Sequence, residues 1–192
     1  SRGQPRLDIL FTTIESGLLI QEGHPDAAAQ LLNTALNKYP NETDLLFSRV
    51  IYYDSIGDRE GSERDLQQII SMLPEDSRAL NHLGYMLADQ TTRYDEALEL
   101  IERAIAISPD DPAIIDSLGW ALYKVGRFEE ALVQMRRAFS AFPDDEVASH
   151  LGEVLWALER FDEAMRVWQD ALESDPESPL ILEAMERLQV AE

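Results

Sequence analysis

Three kinds of side chain in this sequence could carry chemistry. They are the histidines at 24, 82 and 150, a large surplus of carboxylates, and the aromatic residues Tyr85, Trp120, Tyr123 and Trp156. His24 stands beside Gly23 and Pro25, in a turn. His82 and His150 each precede a Leu-Gly pair, 68 residues apart, so a shared metal would need two distant parts of the chain to meet. A zinc site also wants further nitrogen or sulfur ligands close by. The chain has no cysteine, which excludes disulfides, thiolate metal sites and cysteine nucleophiles together. Metalloprotease, phosphate-loop, nucleophile-elbow and dinucleotide motifs are all missing. No nucleophile, base and orienting group form a constellation. We therefore expect no catalytic residue, no metal ion and no cofactor: the chain reads as a protein that is not an enzyme.

Acidic residues number 37 against 16 basic ones, a formal net charge of −21. Such a surface repels phosphate backbones, so no nucleic-acid partner is expected. Solubility is the plain reading of the charge, and complementarity to a basic partner is the alternative. Hydrophobic residues make up 45% and charged residues 28%, a globular balance. No apolar run reaches the roughly 18 residues that a transmembrane helix needs. The chain opens at Ser1 without a methionine or a signal-like stretch, which reads as an excised segment.

What positions any functional side chain here is a repeat. The stretch Asp116 to Pro143 holds two amphipathic segments around a break at Val125-Gly126-Arg127. Leu118-Gly119 lies in the first segment, and Ala131, Met135 and Ala138 stripe the second. The pattern returns as Leu83-Gly84 with Ala97, Ile101 and Ala104, and as Leu151-Gly152 with Ala164, Trp168 and Ala171. Closing prolines at 40, 74, 109, 143 and 176 are spaced by 34, 35, 34 and 33 residues. A fixed period of that length marks stacked helical hairpins. Five repeats follow, at about 7–40, 41–74, 75–109, 110–143 and 144–176, with a capping helix at 179–190, in one domain covering 1–192. In the first, Leu7, Leu10, Phe11, Ile14 and Leu18 recur at helical spacing. The second is divergent: Arg49-Val50 replaces Leu-Gly, and Ser62 and Ile69 replace two alanines. The third carries one extra residue, expected as a longer loop over Asp89 to Arg93. Asp110-Asp111 and Asp144-Asp145-Glu146 fall where helix N-termini favour negative charge.

The register resembles the tetratricopeptide repeat, W-x2-L-G-x2-Y followed by A-x3-F and P. That resemblance implies an all-α fold, a right-handed α-solenoid of five helix-turn-helix repeats plus a cap. By the same analogy, Gly84, Gly119 and Gly152 face Ala97, Ala131 and Ala164 across each hairpin. It also implies a concave face built from the first helix of each repeat. Carried over position by position, that face holds Phe47, Ile51 and Asp54, then Arg78, Asn81, Tyr85 and Asp89. It continues with Asp116, Trp120, Tyr123 and Lys124, then Glu146, Ser149, Glu153 and Trp156. Steps of three or four residues keep each set on one side of its helix. The aromatic members with polar neighbours suit a protein or peptide partner. Trp120 and Trp156 could instead fill space between repeats, whereas Trp168 is assigned to the core. The lysine–asparagine clamp by which some members hold a carboxyl terminus is not matched: those positions hold Asn81, Asp116, Ser149 and Glu153.

The run from Asn81 to Pro176 also resembles bacterial outer-membrane lipoproteins with many such repeats. One group of these recruits and activates a periplasmic carboxyl-terminal processing protease. That implies an adaptor located in the periplasm and anchored to the outer membrane through a preceding segment. A cytoplasmic location is the alternative. Alternative roles are an outer-membrane assembly or pilus accessory protein, and a self-associating module that forms homo-oligomers.

Overall fold

Proline in first turns and aspartate at caps divide the chain into helices. The computed structural model describes residues 4–190, and among these lie eleven α-helices and no strand. They are α1 Gln4–Gln21, α2 Pro25–Lys38, α3 Thr43–Ser55, α4 Arg59–Met72, α5 Ser77–Gln90 and α6 Tyr94–Ile107. After them come α7 Pro112–Lys124, α8 Phe128–Ala141, α9 Asp145–Ala157, α10 Phe161–Ser174 and α11 Pro179–Arg187. Consecutive helices pair as hairpins in the register read from the prolines, which establishes the all-α repeat fold. Pro25, Pro112 and Pro179 open their helices, where the missing N–H does no harm. Asp58, Asp111 and Asp144 accept the free N–H groups of Gly61, Ala113 and Val147 at 3.0, 3.0 and 2.9 Å. None of the described helices is long and apolar enough to cross a membrane.

The turns inside the hairpins reveal a backbone device. Gly23, Gly57 and Gly126 adopt φ of 78°, 71° and 80°, and Glu159 takes the same place with φ 60°. A side chain in this left-handed region costs roughly 1–2 kcal/mol. Glu159→Gly should therefore raise stability by roughly 0.5–1 kcal/mol after the entropy of glycine is subtracted. A urea midpoint that falls instead of rising would show that the Glu159 side chain outweighs the strain.

The extra residue of the third repeat corrects an expectation. Rather than bulging as a loop, it lengthens the helix: α5 has 14 residues where α7 and α9 have 13. Asp89 and Gln90 are helical, and the connector 91–93 is as short as 125–127 and 158–160. Thr91 makes the glycine unnecessary. Its hydroxyl donates to the Leu87 carbonyl at 2.6 Å and accepts the Arg93 N–H at 2.9 Å, so the turn closes through a side chain.

The residues fall into two compact units, Ser1–Ala79 and Leu80–Glu192. In the first, α1 packs on α2 and α3, α2 on α3, and α3 on α4. Leu32, Leu45, Leu46, Val50, Leu66 and Ile69 are its fully buried centre. The apolar stripe of α1 lies elsewhere: Leu7, Leu10, Phe11, Ile14 and Leu18 are each more than half exposed. The divergent second repeat exchanges an apolar contact for an ionic one. Arg49 forks onto Asp65, Nε to Oδ2 at 2.6 Å and Nη2 to Oδ1 at 2.8 Å, and Asp65 is only 2% exposed. Ser62, in an alanine's place, sets its hydroxyl oxygen 3.3 Å from the Val50 carbonyl oxygen.

In the second unit α7 packs on α6 and α8, and α9 packs on α8, α10 and α11. The expected glycine-to-alanine contact is seen at Gly84, where a Cβ would lie 3.0 Å from the Ala97 carbonyl oxygen, but the nearest side chains are others. The space above Gly84, Gly119 and Gly152 is filled by Ile101, Met135 and Trp168, one turn beyond the alanines. Ala97, Ala131 and Ala164 are fully buried, and so is Trp168, as its assignment to the core requires.

Candidate functional site

The first helices α5, α7 and α9, with α11, line two cavities in the second unit. The larger, about 240 Å³, is bounded by Asn81, Tyr85, Asp116, Phe142, Asp144 and Glu146 among others. The smaller, about 190 Å³, is walled by Asp89, Trp120, Ser149, His150, Glu153 and Arg187, and again by Tyr85 and Glu146. Those two shared residues are bonded to each other. The Tyr85 hydroxyl on α5 donates to Glu146 Oε1 on α9 at 2.6 Å. Burial first, then that bond to a carboxylate, raise the Tyr85 pKa far above the usual phenol value.

Beneath this bridge lies a buried polar pair. His150 Nδ1 stands 3.0 and 3.2 Å from the two carboxylate oxygens of Asp116, and both residues are buried. Burial pulls the His150 pKa down. The hydrogen bond and charge of Asp116, with the charges of Glu146 and Glu153, outweigh it and hold the pKa above the ordinary imidazole value. The imidazole stacks on Trp120 at 4.1 Å between centroids with 19° between planes, and Trp120 stacks in turn on Tyr123 at 5.0 Å. Lys124 Nζ lies 4.5 Å from the Trp120 ring centroid. One step along α9, the buried Glu153 carboxylate pairs with Arg187 of α11. Burial raises the Glu153 pKa, and Arg187 opposes that rise without cancelling it.

The positions singled out in the sequence thus have distinct surroundings. Asn81, Tyr85, Asp116, Trp120, Ser149 and Glu153 all line one or other of the two cavities. Trp120 is 3% exposed and forms a wall rather than a protruding anchor. Ser149 ties α9 to α11 by donating to the Leu180 carbonyl at 3.1 Å. Tyr123 and Lys124 line a separate shallow depression with Phe128 and Leu188. Trp156 is half-buried, set edge-on to Phe161 at 4.6 Å and 5.8 Å from Trp168. Phe47 and Arg78 belong to the first unit, where the guanidinium lies 4.0 Å above the ring. Ile51 is exposed, and Asp54 Oδ1 accepts from the Ser62 hydroxyl at 2.5 Å.

Phe142, Arg187 and the pairing role of His150 were not anticipated. A signal for two of them was present. Asp116 and His150 are 34 residues apart, as are Glu153 and Arg187, and one period places two side chains at the same level of successive first helices. Phe142 sits in a connector, where helical periodicity says nothing.

Paired helices of this length and period define a helical-hairpin repeat protein. The tetratricopeptide repeat family matches over residues 90–150 and 122–188, and a second profile of the same repeat matches 47–112. The chain belongs to the tetratricopeptide repeat family. It is 42% identical over 150 residues to a TPR repeat-containing protein of Pseudomonas aeruginosa, covering 78% of this chain and 25% of that protein. It is 25% identical to human tetratricopeptide repeat protein 21A over 171 residues, covering 86% of this chain and 12% of the human protein. The chain thus spans a quarter or less of the length of these relatives. Among solved structures, a thermophilic TPR protein of Thermus thermophilus aligns with TM-score 0.75 at 20% identity, covering 94% of this chain and 97% of that one. MamA of Desulfovibrio magneticus aligns with TM-score 0.71 at 19% identity, covering 90% and 97%. At such identities the likeness is one of fold.

Proposed function

We propose that this chain is a non-catalytic adaptor that holds a segment of a partner protein along α5, α7, α9 and α11. Repeats of this family serve as protein-interaction scaffolds, and one observation supports this face as the site. Two adjoining cavities share the Tyr85–Glu146 bridge and are lined by aromatic and polar side chains from successive first helices. The partner proposed is a cell-envelope protease or its substrate, with the adaptor in the periplasm. The support for that is the resemblance of Asn81 to Pro176 to protease-recruiting lipoproteins.

The immobilised chain should capture a protease from a cell-envelope extract, and the pure chain should then raise that protease's rate on its substrate. Glu183→Trp, at an exposed rim position of the smaller cavity, should cut capture at least tenfold by obstruction. Absence of capture, or no effect on the rate, would refute the adaptor role. Capture undiminished by Glu183→Trp would move the site off this face.

Self-association is a second reading, favoured by the exposed stripe of α1. Light scattering that shows a monomer at the capture concentration sets it aside.

A further inference from the structure

The apolar stripe of α1 stands at positions that every later first helix buries. Ser16 lies 12 residues before Ala28, as Gly119 lies before Ala131 and Gly152 before Ala164, which fixes α1 in the common register. Five residues before that point, the later first helices carry Leu45, Ala79, Ile114 and Val147, each at most 5% exposed. The same position in α1 is Phe11, at 63% exposed. Two residues after that point, Met86, Ala121 and Val154 are buried, and their counterpart Leu18 is more than half exposed. What lies in front of the later helices is the second helix of the preceding hairpin: α2 packs on α3, α6 on α7 and α8 on α9. Val147 shares one buried cluster with Ala138 of α8, and Phe139 of α8 packs against it. Helix α1 has its own partner α2 and its follower α3, and the stripe is exposed all the same. Nor is the face a finished end. The terminal unit of an open array turns a polar face outward, whereas this one presents a continuous apolar stripe.

We propose that the exposed face of α1 is a stacking seam whose occupant is the second helix of a further hairpin of this same repeat. The chemistry of that helix follows from α8. A small residue in the place of Ala138 lets it approach α1 closely, and a ring in the place of Phe139 closes the side of the seam. A second copy of the chain fits less well. Head-to-tail stacking needs a free second helix at the other end, and α10 already packs against α11. Two α1 faces set together would bring up two chains that each carry a net charge of −21. The seam belongs to the first unit and the two cavities to the second, so the proposal goes beyond the scaffold reading and can fail without it.

The test extends the chain by one hairpin. A copy of residues 110–144, which carries α7 and α8, is joined to Ile9 in place of residues 1–8, so that the copied α8 meets α1 in the register in which α8 meets α9. The extended chain should unfold in one transition, at a melting temperature at least about 5 °C above that of the 192-residue chain. Amide exchange within α1 should slow at least tenfold in the same comparison. Phe11→Gln combined with Leu18→Gln should shift the 192-residue chain by less than about 2 °C, because both side chains already meet water. The same pair should erase both gains in the extended chain, since it sets two amides into an apolar seam. An extended chain that gains nothing, or that keeps its gain with both glutamines in place, overturns the proposal. So does light scattering that shows the 192-residue chain as a dimer which the glutamines dissociate, because the occupant is then a second copy. Loss of protease capture in the glutamine variant also overturns it and gives the face to the partner.

Discussion

Gly152→Ala is expected to lower the free energy of unfolding by about 3 kcal/mol, the upper part of the usual range for overpacking a filled core. A Cβ built at Gly152 would fall inside the indole of Trp168, against Nε1, Cε2 and Cζ2. Trp168 is fully buried, and its Nε1–H donates to the Ser149 carbonyl at 3.4 Å, so the rigid ring has no free direction of retreat. The equivalent glycines form an internal scale. At Gly84 the new carbon would meet Ile101 Cγ1 at 2.5 Å and the Ala97 carbonyl oxygen at 3.0 Å, a branched side chain and a fixed backbone atom. At Gly119 it would meet Met135 Cε at 2.8 Å, the loose end of an adaptable side chain. The expected order of damage is therefore Gly152, then Gly84, then Gly119. For Gly119→Ala the gain in helix propensity, up to about 1 kcal/mol, offsets much of the loss. Urea unfolding of the three variants measures the order directly. A Gly152→Ala protein as stable as the wild type would contradict the placement of Trp168.

The second large effect is expected at Asp116. Removing one partner of a buried ion pair costs about 3–5 kcal/mol when the other stays charged. Asp116→Asn does this at low pH, where His150 is protonated. The folded-state pKa of His150 is raised, so the charged pair contributes stability that is fully present below the unfolded-state value of about 6.5. That contribution disappears as pH rises through the higher folded-state value. The deficit of Asp116→Asn should thus be greatest near pH 6 and shrink towards pH 9, as His150 becomes neutral. Glu153 acts in the same sense in the wild type. Its folded-state pKa is also raised, so the protein gives up stability as pH climbs through it. Stability curves at several pH values test the sign. A deficit that stays the same from pH 6 to pH 9 would mean that His150 is neutral in the folded protein throughout.

The hairpin register was legible from five prolines and three Leu-Gly pairs, because proline and helix-interior glycine each impose a backbone requirement that recurs with the period. The fate of the third repeat's extra residue was not. A surplus of one can lengthen either a helix or a loop, and the choice rests on whether Thr91 can close the turn with its hydroxyl. The nearest partner of Gly119 and Gly152 lies one helical turn beyond the expected alanine, whereas Gly84 meets the expected Ala97 as well as Ile101. Helix crossing geometry, rather than spacing along one helix, decides whether position 131 or 135 lies above Gly119. In the candidate site, helical spacing set Tyr85, Trp120 and Glu153 on first-helix faces but carried no information on depth. Trp120 proves buried because His150, from the first helix of the next repeat, covers its ring. The Tyr85–Glu146 bridge joins residues 61 apart in sequence, nearly two periods, and depends on curvature that no single repeat encodes.

Side chains that pair at a separation of 34 residues have a further bearing on how such an array can change in length. Repeats are nominally interchangeable, each meeting its neighbour through similar surfaces. Asp116 with His150, and Glu153 with Arg187, make these junctions specific to their owners. Insert a duplicate of the α9–α10 hairpin between α8 and α9, and Asp116 would face the duplicate's own histidine while His150 lost its carboxylate. The apolar seams would still close, yet a buried imidazole would be left without its counter-charge. The order of the last three units is thereby written into the chain as a sequence of matched keys, and the array cannot be lengthened there by simple copying.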